Sequence, residues 1–199
     1  MSYLTDPDGF FPQRADDPDW LVPTLLVVSA GILPAVGFWD SVQQLTPSDA
    51  GAFASATAAI GAAGALVGVT LVWVVGAAVF HGVSAVFDGE GSFWRTLWLT
   101  GWGYVPAVLS GGATMMAFVL AADAVPAAET AQQFVEVNQQ LQHQYIQWAT
   151  CLGIGMSLWQ AVIRMFGVRH ARGLEPTQAA IAVSPVVLFN VGGTRFGVV

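Results

Sequence analysis

The chain has 199 residues, of which 55% are hydrophobic and only 10% are charged, and its formal net charge is −7. Soluble domains carry about 25% charged residues, so a soluble fold of this length would lack the charged surface that keeps it dispersed. The acidic balance also argues against a nucleic-acid partner, which requires basic patches. All six basic residues are Arg, and an acidic chain without Lys predicts a salt-adapted, halophilic source.

The first 19 residues carry five Asp residues against the single Arg14. A signal peptide needs a positively charged start and a short apolar core, whereas this segment is negative and the apolar stretch after it is too long. We therefore predict that residues 1–19 form a short N-terminal segment and that the first apolar helix is retained.

Five long stretches without charge follow, and each has close to the roughly 20 apolar residues that a membrane-spanning helix needs. We predict an all-α polytopic integral membrane protein, a bundle of five transmembrane helices within residues 20–194. A soluble bundle is the alternative, but it would have too little polar surface. The predicted spans cover residues 20–39, 61–86, 97–122, 146–165 and 177–194, and the last is the least certain because it is short and contains Pro185.

The Arg residues predict the direction of insertion. In a five-span bundle only Arg195 falls on one side, and the other five Arg residues fall on the opposite side: Arg14, Arg95, Arg164, Arg169 and Arg172. Because cytoplasmic loops carry an excess of Lys and Arg, we expect a cytoplasmic N-terminus and an outside C-terminus in the cell membrane.

Three polar residues enter the predicted spans from the cytoplasmic side. His81, Tyr104 and Gln160 lie at similar distances from the inner ends of spans two, three and four, at depths of roughly 8 to 12 Å. Intramembrane polar side chains usually face the bundle and pair with each other, so we expect these three to converge. They would form either interhelical hydrogen bonds, which we favour, or a pocket for a lipid headgroup or partner.

The sequence contains none of the common catalytic motifs, neither a zinc-protease helix, a P-loop nor a nucleophile elbow, and no Cys/His metal spacing. We therefore predict no catalytic residue, no metal and no cofactor. Asp40, Asp123 and Arg164 fall at predicted helix ends, where they can reach water. The lack of a charge in the middle of a span argues against an ion-coupled transporter.

The loop between spans two and three predicts a contact surface for lipid. Glycine at residues 89 and 91 permits a turn with positive φ, and the following serine can cap the next helix. Aromatic and Arg side chains nearby could reach anionic headgroups. The predicted lipid-contacting residues are Gly89, Gly91, Ser92, Phe93, Trp94, Arg95, Arg169 and Arg172.

Three segments carry a family resemblance: residues 4–11 (LTDPDGFF), 87–93 (FDGEGSF) and 103–106 (GYVP). Together with the five-span layout, they resemble the Yip1 family of membrane proteins, in the form found in bacteria and archaea. Asp88 departs from the pattern, since Gly is common there. The long N-terminal region of eukaryotic members, with its Asp-Leu-Tyr-Gly-Pro motif, is missing, so their implied role in vesicle traffic is not carried over. For prokaryotic members the resemblance implies a membrane component of unsettled function.

These patterns predict a non-enzymatic membrane scaffold or membrane-organising component. Its expected partners are the lipid bilayer and either another membrane protein or a second copy of the chain. A small transporter or channel is the alternative, and a continuous polar path through the bundle would favour it.

Overall fold

The computed structural model describes residues 6–15, 19–45, 51–123 and 131–196, and within them the chain is helical with no strand. This confirms the predicted all-α class. The helices are α1 (Pro7–Ala15), α2 (Leu21–Leu45), α3 (Gly51–Ala85), α4 (Phe93–Gly101), α5 (Val105–Asp123), α6 (Ala131–Arg172) and α7 (Pro176–Phe196), with a 3₁₀ turn (Trp102–Tyr104) between α4 and α5.

Four helical stretches among the described residues are long and apolar enough to cross a membrane: Leu21–Gln44, Gly51–Ala85, Phe93–Leu120 and Cys151–Arg172. Only 22% to 28% of the most apolar part of each is buried inside the protein, so most of its apolar surface faces outward. Lipid can cover an apolar surface of this extent, whereas water disfavours it. The helices therefore fit a bilayer.

The predicted fifth span lies on α7, which is not among these four helices. Polar Gln178, Ser184 and Asn190 and the helix-breaking Pro185 occur along it. Its first half packs on the bundle, where Ala179, Ala182 and Val183 are buried together with Phe80 and Val168. The count of five spans is therefore not confirmed by helix length and composition.

The helices differ from the predicted spans at their ends. α3 is one helix of 35 residues that starts at Gly51 rather than at residue 61, because the Ala-rich segment before residue 61 favours helix. The third span is interrupted by the Trp102–Tyr104 turn. Pro106 accounts for this break, since it lacks an N–H and its ring clashes with the carbonyl four residues earlier.

The N-terminal segment is a helix packed against the bundle. Phe11 is fully buried and Phe10 is 7% exposed, and both join one apolar cluster with Trp98, Leu99, Trp102, Ile163 and Ala171. The Phe10 ring meets the Trp102 ring edge to face, with centroids 5.0 Å apart. α1 is thus held against α4 and α6 by its aromatic pair.

Replacing Phe11 with Ala is expected to release α1 from the bundle. Removing a buried Phe side chain costs about 3–5 kcal/mol, which is large for the docking of a nine-residue helix. Backbone hydrogen exchange in detergent micelles should then speed up across α1. The matched control is Phe53→Ala, since Phe53 is 76% exposed on α3. Unchanged exchange in the Phe11 variant would contradict this packing.

Candidate functional site

Arg172, at the end of α6, holds the loop between α3 and α4. Its Nε donates to Ser84 Oγ at 2.8 Å, and its two terminal nitrogens donate to the carbonyl oxygens of Gly89 and Gly91. The Glu90 N–H returns a bond of 2.9 Å to the Arg172 carbonyl. Arg172 is only 4% exposed. Its guanidinium therefore makes these bonds inside the protein, and its predicted contact with a headgroup stays an untested prediction.

The backbone of this loop explains its glycines. Gly91 has φ +101°, as predicted, but the second residue with positive φ is Asp88 at +56° rather than Gly89. Gly89 is required for a different reason, since a Cβ there would lie 2.8 Å from the Ser84 carbonyl oxygen. The predicted cap is confirmed, because Ser92 Oγ accepts the Arg95 N–H at 3.2 Å.

Aromatic side chains beside the loop face outward. Trp94 is 63% exposed and Trp20 is 39% exposed, and their rings meet with centroids 6.1 Å apart. Phe93 packs edge-on against Trp94 at 5.6 Å. Arg95 follows directly on the same helix and is partly exposed. Lipid contact by Phe93, Trp94 and Arg95 remains a prediction that this geometry permits.

A polar contact joins α1 to the end of α6. The Asp8 carboxylate accepts from Arg169 and lies 3.0 Å from His170 Nε2. The hydrogen bond with His170, followed by the charge and hydrogen bond of Arg169, lowers the pKa of the Asp8 carboxyl below its usual range. The Arg169 side chain is 28% exposed and thus pairs with Asp8 while still reaching the surface. Its contact with lipid remains a prediction.

The three residues of the predicted polar cluster occupy different contacts. Tyr104 is 3% exposed beside Trp73 and Leu97, and Gln160 is 8% exposed on α6. The His81 ring lies edge-on to Phe93, with centroids 5.9 Å apart. Among the described residues, no hydrogen bond joins two of these three side chains. Their convergence remains a prediction.

Arg164 was expected at a helix end, in reach of water. The structure instead places it within the apolar stretch Cys151–Arg172. It is 5% exposed, and its guanidinium carbon lies 4.7 Å from the centroid of the Tyr104 ring. Gly103 makes room for it, because a Cβ there would lie 2.5 Å from Arg164 Cγ. The expectation failed because α6 continues to Arg172, well beyond the predicted helix end.

The contact with Tyr104 does not balance the buried charge of Arg164. A desolvated cation–π contact contributes about 2 kcal/mol, whereas burying a guanidinium costs several kcal/mol. The two ion pairs formed by the described residues both use Asp8, and neither includes Arg164. The Tyr104 hydroxyl is also buried and has no hydrogen-bond partner among the described residues.

Comparison with known proteins decides the family. The sequence model of the Yip1 domain matches residues 1–194. The chain belongs to the Yip1 family. It is also similar to an uncharacterized protein of Methanocaldococcus jannaschii, with 31% identity over 110 residues, which are 53% of this chain and 78% of that protein. No solved structure matches it.

Family membership and the apolar helices together make this Yip1 protein a multi-pass transmembrane protein. Within the parts of the chain that the structure describes, no group of three His, Cys, Asp or Glu side chains could hold a metal ion. Three features mark the end of the Yip1 domain where α1 packs on α6. They are a loop held by Arg172, an outward aromatic pair and a buried Arg164.

The left-handed backbone of Asp88 predicts an asymmetry between two substitutions. Asp88→Ala should lower the free energy of unfolding by about 1 kcal/mol, because a Cβ without a local hydrogen-bonding group is disfavoured at positive φ. Asp88→Gly should keep or raise it, since Gly adopts this backbone freely. Thermal unfolding in detergent measures both, and equal melting temperatures for the two variants would contradict the prediction.

Acidification should loosen α1 through Asp8. Because the pKa of Asp8 is lowered when α1 is docked, its stabilising contact is complete above the ordinary pKa of 3.8 and is lost as pH falls through the lowered value. The effect is small, since the contact is exposed to solvent. Hydrogen exchange across α1 should differ between wild type and Asp8→Asn at pH 6 and converge at lower pH. The same difference at every pH would count against this assignment.

Proposed function

We propose that this Yip1-family protein is a non-enzymatic membrane scaffold that acts through lipid and protein contacts at the α1 end of the bundle. We define the α1 end as the end where α1, the loop of residues 87–92 and the end of α6 meet. The supporting observation is the hydrogen-bonded loop beside an exposed aromatic pair. Arg172 holds the loop from inside, while Trp94, at 63% exposure, projects from the helix that follows.

The outward side chains beside the loop are Trp20, Trp94 and Arg95, and we call them the outward rim. Their chemistry suits a membrane interface. Trp side chains prefer the headgroup level, where the ring is in an apolar environment and its N–H remains accessible to water. Arg95 and Arg169 lie at the same end and add positive charge, which attracts anionic lipid over a short distance. A preformed rim loses little conformational entropy when it binds lipid or a partner helix.

We further propose that the chain crosses the membrane five times, with the α1 end in the cytoplasm and the C-terminus outside. Contacts of α1 with α6, and of the loop with α6, support a common side for Arg14, Arg95, Arg169 and Arg172. An excess of Arg on one side favours the cytoplasm. α7 would be the fifth span, packed through its first half against α3 and α6.

Reporter fusions at both chain ends test this five-span topology, and two ends in one compartment would refute it.

The lipid contact can be tested by photo-crosslinking in reconstituted vesicles that contain an anionic phospholipid probe. Crosslinks should map to residues 93–95 in the wild type. Combining Trp94→Ala with Arg95→Gln should lower their yield about five-fold, because each Arg near an anionic surface contributes about 1 kcal/mol. The matched control is Trp39→Ala, since Trp39 is 41% exposed near the opposite end of α2.

Proximity labelling in native membranes tests the protein contacts with the same variants. A defined partner that is recovered with wild type and with Trp39→Ala, but not with the double variant, supports the scaffold. Unchanged crosslinking and unchanged partners in the double variant would reject it. Solute flux through vesicles that contain the purified protein would instead indicate a transporter or channel.

A further inference from the structure

The strongest unexplained feature of the molecule is the buried cation of Arg164 inside a membrane-spanning helix. Arginine stays protonated in proteins, so the charge cannot be removed by loss of a proton. Intramembrane charges are usually paired and mark functional sites. The described residues provide Arg164 with an aromatic ring but no carboxylate.

The hydroxyl of Tyr104, beside the Arg164 guanidinium, is a second donor whose hydrogen has no acceptor among the described residues. The Tyr104 hydroxyl is buried, has no hydrogen-bond partner among the described residues, and belongs to the ring that lies against the Arg164 guanidinium. A guanidinium and a phenol hydroxyl side by side can both donate to the oxygens of one anion. Phosphate oxyanions suit this arrangement, because the planar guanidinium binds them with two parallel hydrogen bonds.

The surroundings suit a lipid phosphate in particular. Arg164 lies two turns from the end of α6 at Arg172, about 12 Å along the helix, which is close to the α1 end. Leu158 and Val162 on the same helix are 53% and 51% exposed, so acyl chains can lie along the outer face of α6. Basic pockets between helices near a membrane surface bind anionic headgroups.

We propose that Arg164 and Tyr104 form a binding site for a phosphate-type oxyanion within the bundle, with Gly103 leaving the space that the Arg164 side chain occupies. The site is separate from the outward rim of Trp94 and Arg95. The phosphate could belong to a phospholipid headgroup or be free inorganic phosphate, and both present the same oxygens to the two donors.

The test measures phosphorus that stays with the full chain after purification in mild detergent and removal of loosely held lipid by size-exclusion chromatography. Wild type should retain about one phosphate per chain, because one guanidinium pairs with one phosphate. Extraction with organic solvent separates the sources: phosphorus in the organic phase is lipid, and phosphorus in the aqueous phase is free phosphate.

Tyr104→Phe is the decisive variant, because it removes only a hydroxyl whose hydrogen has no acceptor among the described residues. It should keep the melting temperature and weaken the affinity for phosphate about ten-fold, the effect of losing one hydrogen bond to a charged group. Less phosphorus should then stay with the variant than with wild type after the same chromatography. Arg164→Gln should abolish retention. The matched control is Arg14→Gln, which removes another guanidinium that lies over a ring, 4.8 Å from the centroid of Trp102, at a less buried position.

Wild type without bound phosphorus would overturn the proposal, as would a Tyr104→Phe protein that retains as much as wild type. If Arg164→Gln does not fold, the Tyr104 variant still decides. The photo-crosslinking at residues 93–95 measures a different surface, so failure of the proposed scaffold role and failure of this site are distinguishable.

Discussion

The arrangement at the α1 end depends on the guanidinium of Arg172. It bridges the end of α6 to Ser84 at the end of α3 and to two carbonyls of the loop that follows. These two carbonyls are partly buried, and a buried acceptor that is left without a donor costs free energy. One planar group with five N–H donors satisfies several of them at once. The start of α4, and therefore the position of Trp94, follows from this bridge.

Helix α6 carries a second buried Arg, Arg164, whose surroundings differ from those of Arg172. Arg172 is surrounded by carbonyl oxygens, which offset much of the cost of burying its charge. Arg164, two turns earlier, lies against the ring of Tyr104 and in the space left by Gly103. A protein that only needed to fill this space could do so with an apolar side chain at lower cost. The contrast shows Arg172 in structural hydrogen bonds and is the reason why we propose a binding role for Arg164.

The α1 helix contains most of the N-terminal segment that resembles the lead-in of the Yip1 family, and it packs beside these features. Phe11 packs beside Gly167 and Leu99, one turn of α6 nearer to the α1 end than Arg164. Asp8 fixes the other face of α1 to Arg169 and His170. α1 thus covers the bundle one turn of α6 away from the buried charge.

The sequence by itself determined the all-helical class, the membrane-spanning character, the family, the Ser92 cap and the glycine with positive φ at residue 91, because these depend on composition and local backbone preferences. It did not determine that Asp88 takes the second left-handed position or that Gly89 is needed for a close approach to Ser84. Only the tertiary structure decided which Arg side chains turn inward. Arg164 and Arg172 look alike in sequence to Arg95 and Arg169, since all four lie near predicted helix ends. Their burial depends on what neighbouring helices bring near them, and contacts between residues distant in the chain are not encoded in local spacing.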